Sequence, residues 1–136
     1  MIEPSAKWAA AEQRFMDQTP YLFDGERRDA VLRAIQEVCA TRGWTLLAAH
    51  VRSNHVHCVV RGDSRPERVM NGFKAYASRR LNQMEIDVAG RKRWSRHGST
   101  RWLKSDDNIT AAIHYVVHEQ GEAMAVFQAG SDEPRA

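Results

Sequence analysis

At 136 residues the chain suits one domain with a real core and is too short for two; its hydrophobic and charged fractions, 43% and 27%, are those of a soluble globular protein. No apolar run reaches the length of a membrane span, residue 1 opens no basic-then-apolar leader, and Cys39 and Cys58 lack metal-type spacing; a membrane protein, a secreted one and a disulfide scaffold are thereby excluded, and a cytoplasmic chain is expected. The net charge of +3 hides an asymmetry: residues 1–60 balance, residues 61–104 carry a local excess of +8, and residues 105–136 one of −5. A basic middle suggests a polyanion-binding surface, although a solvated charged face would leave the same count.

Residues 1–24 are the least legible. Residues 6–15 have the pattern of a short helix, and Pro20 breaks it by disfavouring helix at Thr19. A helix then opens at Asp24 or Gly25 and runs to about Thr41, because Val31, Leu32, Ile35, Val38 and Cys39 recur at spacings of three and four. Gly43 is its C-cap. Residues 44–51 and 55–61 read as two strands joined by Arg52-Ser53-Asn54, an antiparallel hairpin. Asp63 and Ser64 ahead of Pro66 mark the start of a helix that continues to about Met84, with Val69, Met70, Phe73, Ala77, Leu81 and Met84 as its apolar stripe. Lys74, Arg79 and Arg80 lie outside that stripe, so the outer face is basic and suited to a phosphate backbone.

Residues 85–105 hold the densest basic run, Arg91-Lys92-Arg93, followed by Trp94, Arg96, His97, Arg101, Trp102 and Lys104. Aromatics among cations suit single strands, since rings stack on bases while cations hold phosphates. The competing reading is a strand pair with one of Trp94 and Trp102 buried in the core. Asp106, Asp107 and Asn108 offer N-caps for a final helix over residues 108–120, with Ile109, Ala112, Ile113, Val116 and Val117 buried and Gly121 as its stop. Residues 123–127 form a short apolar piece that can return as a strand, and residues 128–136 read as a tail.

The chemistry concentrates in two places. In a strand, His55 and His57 fall on one face, where two neutral imidazoles can converge on one metal ion; two strand histidines facing water fit the pair equally well. His50 in the preceding strand makes three histidines within eight residues and tilts the balance toward a metal. On the last helix Tyr115 and Glu119 are four residues apart and share a face, with His118 close by. A metal held by His55, His57 and Glu119 would leave open positions for a phosphate oxygen, and Tyr115 could then attack phosphorus. A free tyrosine, with a pKa near ~10, needs such help at neutral pH.

In this order and spacing, residues 53–60 (Ser-Asn-His-Val-His-Cys-Val-Val), the basic helix around residues 73–82 and the run His114-Tyr115-Val116-Val117-His118-Glu119-Gln120 resemble the single-tyrosine HUH transposases, in particular the REP-associated tyrosine transposases and the small transposases of single-strand insertion sequences. The likeness covers roughly residues 26–127. It implies an α+β, ferredoxin-like fold with helices packed on a central antiparallel sheet, Mg2+ or Mn2+ as cofactor, single-stranded DNA with hairpins as partner, and a 5′-phosphotyrosine intermediate. His55 and His57 would be metal ligands, Tyr115 the nucleophile and Glu119 the third ligand, with His118 competing for that role. Lys74, Arg79, Arg80, Arg91, Lys92, Arg93, Arg96 and Arg101 would contact DNA, and a homodimer is one arrangement open to the chain. One departure stands out: the family's usual first strand, aromatic-x-Thr-x-Arg, has no counterpart before Glu26, so the sheet is expected to lack it or to fill its place with another segment. The alternatives are a non-catalytic relative that binds DNA hairpins, and an unrelated small hydrolase in which the histidines do the work and Tyr115 is core. Val59 stands where histidine-triad hydrolases carry a third histidine, which disfavours the last.

Overall fold

The computed structural model describes residues 21–94, 103 and 105–130, and every structural statement below is made of them. Six elements follow in chain order: α1 (Gly25–Arg42), β1 (Thr45–Val51), β2 (Val56–Arg61), α2 (Pro66–Met84), α3 (Asp106–His118) and β3 (Ala125–Gln128). The expected helix at residues 6–15, the basic residues Arg96 and Arg101, Trp102, and the end of the tail lie outside the described residues.

Each helix starts and stops for a local reason. The Asp24 side chain accepts the Arg27 N–H at 2.9 Å and caps α1, while Gly43, at φ 76°, takes the left-handed conformation that lets the Trp44 N–H return to the Cys39 carbonyl. The cap expected of Asp63 or Ser64 is not made. Arg65 occupies the N-cap position of α2 without a side-chain bond, Pro66 supplies the first turn, and Ser64 Oγ instead accepts the Trp44 indole N–H at 3.2 Å. α3 begins two residues earlier than expected because Ser105, rather than an acid, is its cap: Ser105 Oγ accepts the Asn108 N–H at 3.1 Å, leaving Asp106 and Asp107 in the first turn where their charge suits the helix dipole.

The sheet is antiparallel, in the order β2–β1–β3. β1 is therefore central, with His50 opposite both His57 of β2 and Val126 of β3. The register shifts between Leu46 and Ala48, a bulge that carries one extra residue in β1. Its effect is to reset the alternation: Leu46, Ala49 and Val51 join one core, while Ala48 joins the other. The first core packs α1 (Val31, Ile35, Val38) and α2 (Phe73, Ala77, Leu81) against one face of the sheet. The second, smaller one packs Val116 of α3 on Ala48 and Val59 at the opposite face. Alanines at residues 48 and 49, both fully buried, let helices approach the central strand closely from both sides.

No strand precedes α1 among the described residues. The position beside β1 is taken by β3 of the same chain; residues 1–20, where the family's first strand is sought, lie outside the described residues. Just past the end of β1, the Phe23 N–H is bonded to the Ser53 carbonyl at 2.7 Å, tying the segment before α1 to the hairpin turn. Trp44 needs space at the base of the hairpin, and Gly62 supplies it: a Cβ there would meet Trp44 Cδ1 at 2.6 Å. Trp94 is half-buried against the first core, packed edge-on to Phe23 and donating its indole N–H to Ser78 Oγ at 2.7 Å.

Candidate active site

β2 alternates as its sequence dictates. Val56, Cys58 and Val60 point to the α1–α2 core, and His57 and Val59 point to the α3 side. The His55 and His57 rings are near-parallel, with centroids 5.9 Å apart and an interplanar angle of 16°. The Tyr115 ring stands edge-on to His57 at 88°, centroids 6.4 Å apart. Two motifs sixty residues apart in the chain thus meet because α3 packs against β1 and β2.

The two histidines differ in environment. His57 is 3% exposed, and burial, reinforced by the nearby His55, His50 and Arg52 charges, pushes its pKa down to about 4. It is therefore a neutral imidazole at neutral pH, as a metal ligand must be. His55 lies toward solvent, and its Nδ1 is 2.7 Å from Asn54 Oδ1. An amide oxygen can only accept, so Nδ1 is the donor in this bond and Nε2 is the nitrogen that a neutral ring would offer to a metal. Asn54, read from sequence only as a turn residue, thus holds the ring of its neighbour through Nδ1.

His50 belongs elsewhere. It is fully buried, its Nδ1 bonded to the Val116 carbonyl at 3.2 Å and its Nε2 accepting the Met124 N–H at 3.0 Å. Both ring nitrogens are committed to the backbone, so the third histidine does not add to a ligand set. Burial holds its pKa below the ordinary histidine value, against the opposing pull of the Val116 carbonyl, with the Arg52 charge acting in the same sense as burial.

Glu119 is not on the helix. α3 ends at His118, and Glu119 follows at φ −116°, its N–H bonded to the Tyr115 carbonyl at 3.0 Å. Its carboxylate lies 3.0 Å from His114 Nδ1, and the His114 and His118 rings are 4.9 Å apart. Glu119 and His118 therefore gather around His114, and no three His, Cys, Asp or Glu side chains among the described residues form a metal-holding group. The next residue, Gln120, has its amide Nε2 buried with no hydrogen-bond partner among the described residues.

The described basic residues sit in the α1–α2 layer, across the sheet from Tyr115. Arg79 is exposed, its guanidinium 4.7 Å from the Tyr76 ring centroid; Arg80 is paired with Glu37 of α1 at 3.2 Å. Lys74 is half-buried, and burial lowers its pKa. Arg93 is spoken for: with Arg27 it clamps Asp87, at 3.0 and 2.7 Å, and Tyr21 donates its hydroxyl to the same carboxylate at 2.6 Å. The Arg91 guanidinium lies 5.2 Å from the centroid of that tyrosine ring, and Lys92 is exposed. Arg91, Lys92 and Arg93 line, with Leu81, Asn82 and Val88 among others, an open groove of about 490 Å³ at the end of α2.

No described helix is long and apolar enough to cross a membrane. Comparison with curated proteins and with solved structures gives no match. The family model described as "Transposase IS200 like" matches residues 18–118, well over half of the chain, from before α1 to the last residue of α3, and so includes both the histidine pair and the tyrosine. The chain belongs to the IS200-like transposases, a family of DNA transposases.

Proposed function

We propose that the chain cleaves and rejoins single-stranded DNA carrying hairpins through a 5′-phosphotyrosine at Tyr115, assisted by Mg2+ or Mn2+. The observation that carries this reading is the edge-on approach of Tyr115 to His57 at 6.4 Å, which unites the nucleophile and the histidine pair. The donor set fits such an ion. His57 is neutral by burial, the Asn54 bond occupies His55 Nδ1 so that Nε2 is the nitrogen to face an ion, and a carboxylate or amide oxygen beside them suits a hard divalent cation. His55 and His57 would hold the ion, with Glu119 as the third ligand after leaving His114; the buried Gln120 amide is the second candidate, with His118 behind both. When bound, the ion offsets the negative charge that builds on the phosphate oxygens.

In the reaction itself the Tyr115 hydroxyl oxygen forms a bond to phosphorus, the bond from phosphorus to the 3′ oxygen breaks, and the tyrosine proton is balanced by the proton gained on the released 3′ hydroxyl. One phosphodiester replaces another, so a second 3′ hydroxyl can reverse the step, which hydrolysis would not allow. Half-burial of Tyr115 between β2 and the end of α3 limits the directions from which its hydroxyl can approach a phosphate.

Incubation of the purified chain with Mn2+ and hairpin-bearing single-stranded DNA should give a covalent protein–DNA adduct on a denaturing gel. Tyr115→Phe should abolish it while leaving DNA binding in place. An adduct that survives this substitution would remove Tyr115 as the nucleophile. Isothermal titration of Mn2+ into Glu119→Ala and Gln120→Ala separates the two candidate third ligands, the true one weakening binding on the order of tenfold or more.

A further inference from the structure

The last four carbonyls of a helix have no partner within it and must be satisfied from outside. In α3 one of these belongs to Val116, a buried residue directly after Tyr115. Its partner is His50 Nδ1 at 3.2 Å, reached from the middle of the central strand. The other nitrogen of the same ring accepts the Met124 N–H at 3.0 Å, just before β3. A carbonyl can only accept and an amide N–H can only donate, so both bonds demand one state of the ring: neutral, with its proton on Nδ1. Lysine and arginine could not accept from Met124, and a carboxylate could not donate to Val116. A neighbouring bond works in the same direction, with Arg52 Nη1 donating to the Glu122 carbonyl at 2.9 Å and holding the turn that links α3 to β3. Opposite His50 in the β1–β2 ladder stands His57.

We propose that His50 is a positioning residue for the strand-transfer step: a neutral Nδ1–H imidazole strut that fixes the last turn of α3, and with it the Tyr115 hydroxyl, against the strand pair carrying His57. The proposal rests on Tyr115 being the nucleophile. It assigns His50 no contact with DNA or metal. Its effect is on where the nucleophile stands, and misplacement of a reacting group costs rate rather than affinity.

The test uses the full chain. In the wild type, imidazole ¹⁵N shifts should report His50 as the neutral Nδ1–H tautomer, and the Met124 amide should exchange slowly. His50→Leu, which keeps the volume but neither bond, should lower the single-turnover rate of adduct formation on Mn2+ and hairpin DNA by on the order of tenfold to a hundredfold, with the DNA dissociation constant unchanged. His50→Gln, which retains a donor and an acceptor, should recover much of the rate. Equal loss in His50→Leu and His50→Gln would mark a packing role and overturn the proposal, as would a wild-type rate in folded His50→Leu. A wild type that forms no adduct would remove the nucleophile and the positioning role together. An adduct-forming wild type whose Met124 amide exchanges freely, or whose His50 proton sits on Nε2, would overturn the strut alone.

Discussion

His57 shows how one residue's burial links the candidate site to the stability of the whole chain. Unfolded, its imidazole titrates near the ordinary value of 6.5; folded, it titrates at about 4. Between those values the unfolded chain takes up a proton that the folded chain refuses, so stability rises with pH through this window. The contribution is complete above about pH 6.5 and is lost as pH falls through about 4. The gap corresponds to roughly 3 kcal/mol. Urea unfolding of the metal-free chain should therefore show a midpoint that drops steadily from pH 7 to pH 4.5, and His57→Phe should flatten most of that slope. A slope equally steep in the variant would mean that His57 is not the group responsible. The same burial that costs stability in acid keeps the lone pair available at neutral pH, where a metal would need it.

At the scale of elements, Leu81 packs the last turn of α2 into the core, and charge holds the segment that follows it. Asp87 is gripped by Arg27 from α1, by Arg93 and by the Tyr21 hydroxyl, and its pKa falls below the usual carboxylate range although burial alone would raise it; the Tyr21, Arg27 and Arg93 hydrogen bonds outweigh that burial. Replacing one member of such a cluster leaves the others buried and unmatched. Asp87→Asn should lower stability by about 2 kcal/mol, read as a shift in the urea midpoint, and should loosen the start of the basic segment that follows. A variant as stable as the parent would show the cluster to be an exposed ion pair of little worth. Within the basic run Arg93 is bound into this cluster whereas Lys92 is exposed, and Arg79 is exposed on α2.

At the scale of the molecule, β3 does two things at once. It pairs with β1 over Ala48–Val51, and the residue before it, Met124, closes on His50. The matched family region ends at residue 118, so this closure is built by the part of the chain beyond it. Deleting residues 122–136 would bare one edge of the central strand and leave the His50 Nε2 acceptor unmatched. The expected outcome is a loss of several kcal/mol in stability, roughly in line with a lost strand ladder plus one buried hydrogen bond, together with self-association by sedimentation. A truncated chain with the parent's sedimentation behaviour and an unshifted midpoint would deny β3 any structural role.

What the sequence determined by itself was what depends on local period. The apolar spacing of α1 and α2, the hairpin around Ser53 and Asn54, and the shared face of His55 and His57 follow from residues within a few positions of one another. The ordered set of motifs was enough to indicate the family. Local signals failed where a distant partner competed for the same group. Ser64 was diverted from capping by Trp44, Arg93 was drawn to Asp87, and His50 was claimed by two backbone groups more than sixty residues away. Glu119 illustrates the same limit at a helix end: a spacing of four residues places it beside Tyr115 only if the helix continues, and α3 stops one residue short. The tertiary structure alone decided that Tyr115 stands edge-on to His57 and that β3 closes the sheet. The reason is physical: the first depends on the apolar packing of α3 against β1 and β2 and the second on backbone pairing with β1, and no local pattern carries either.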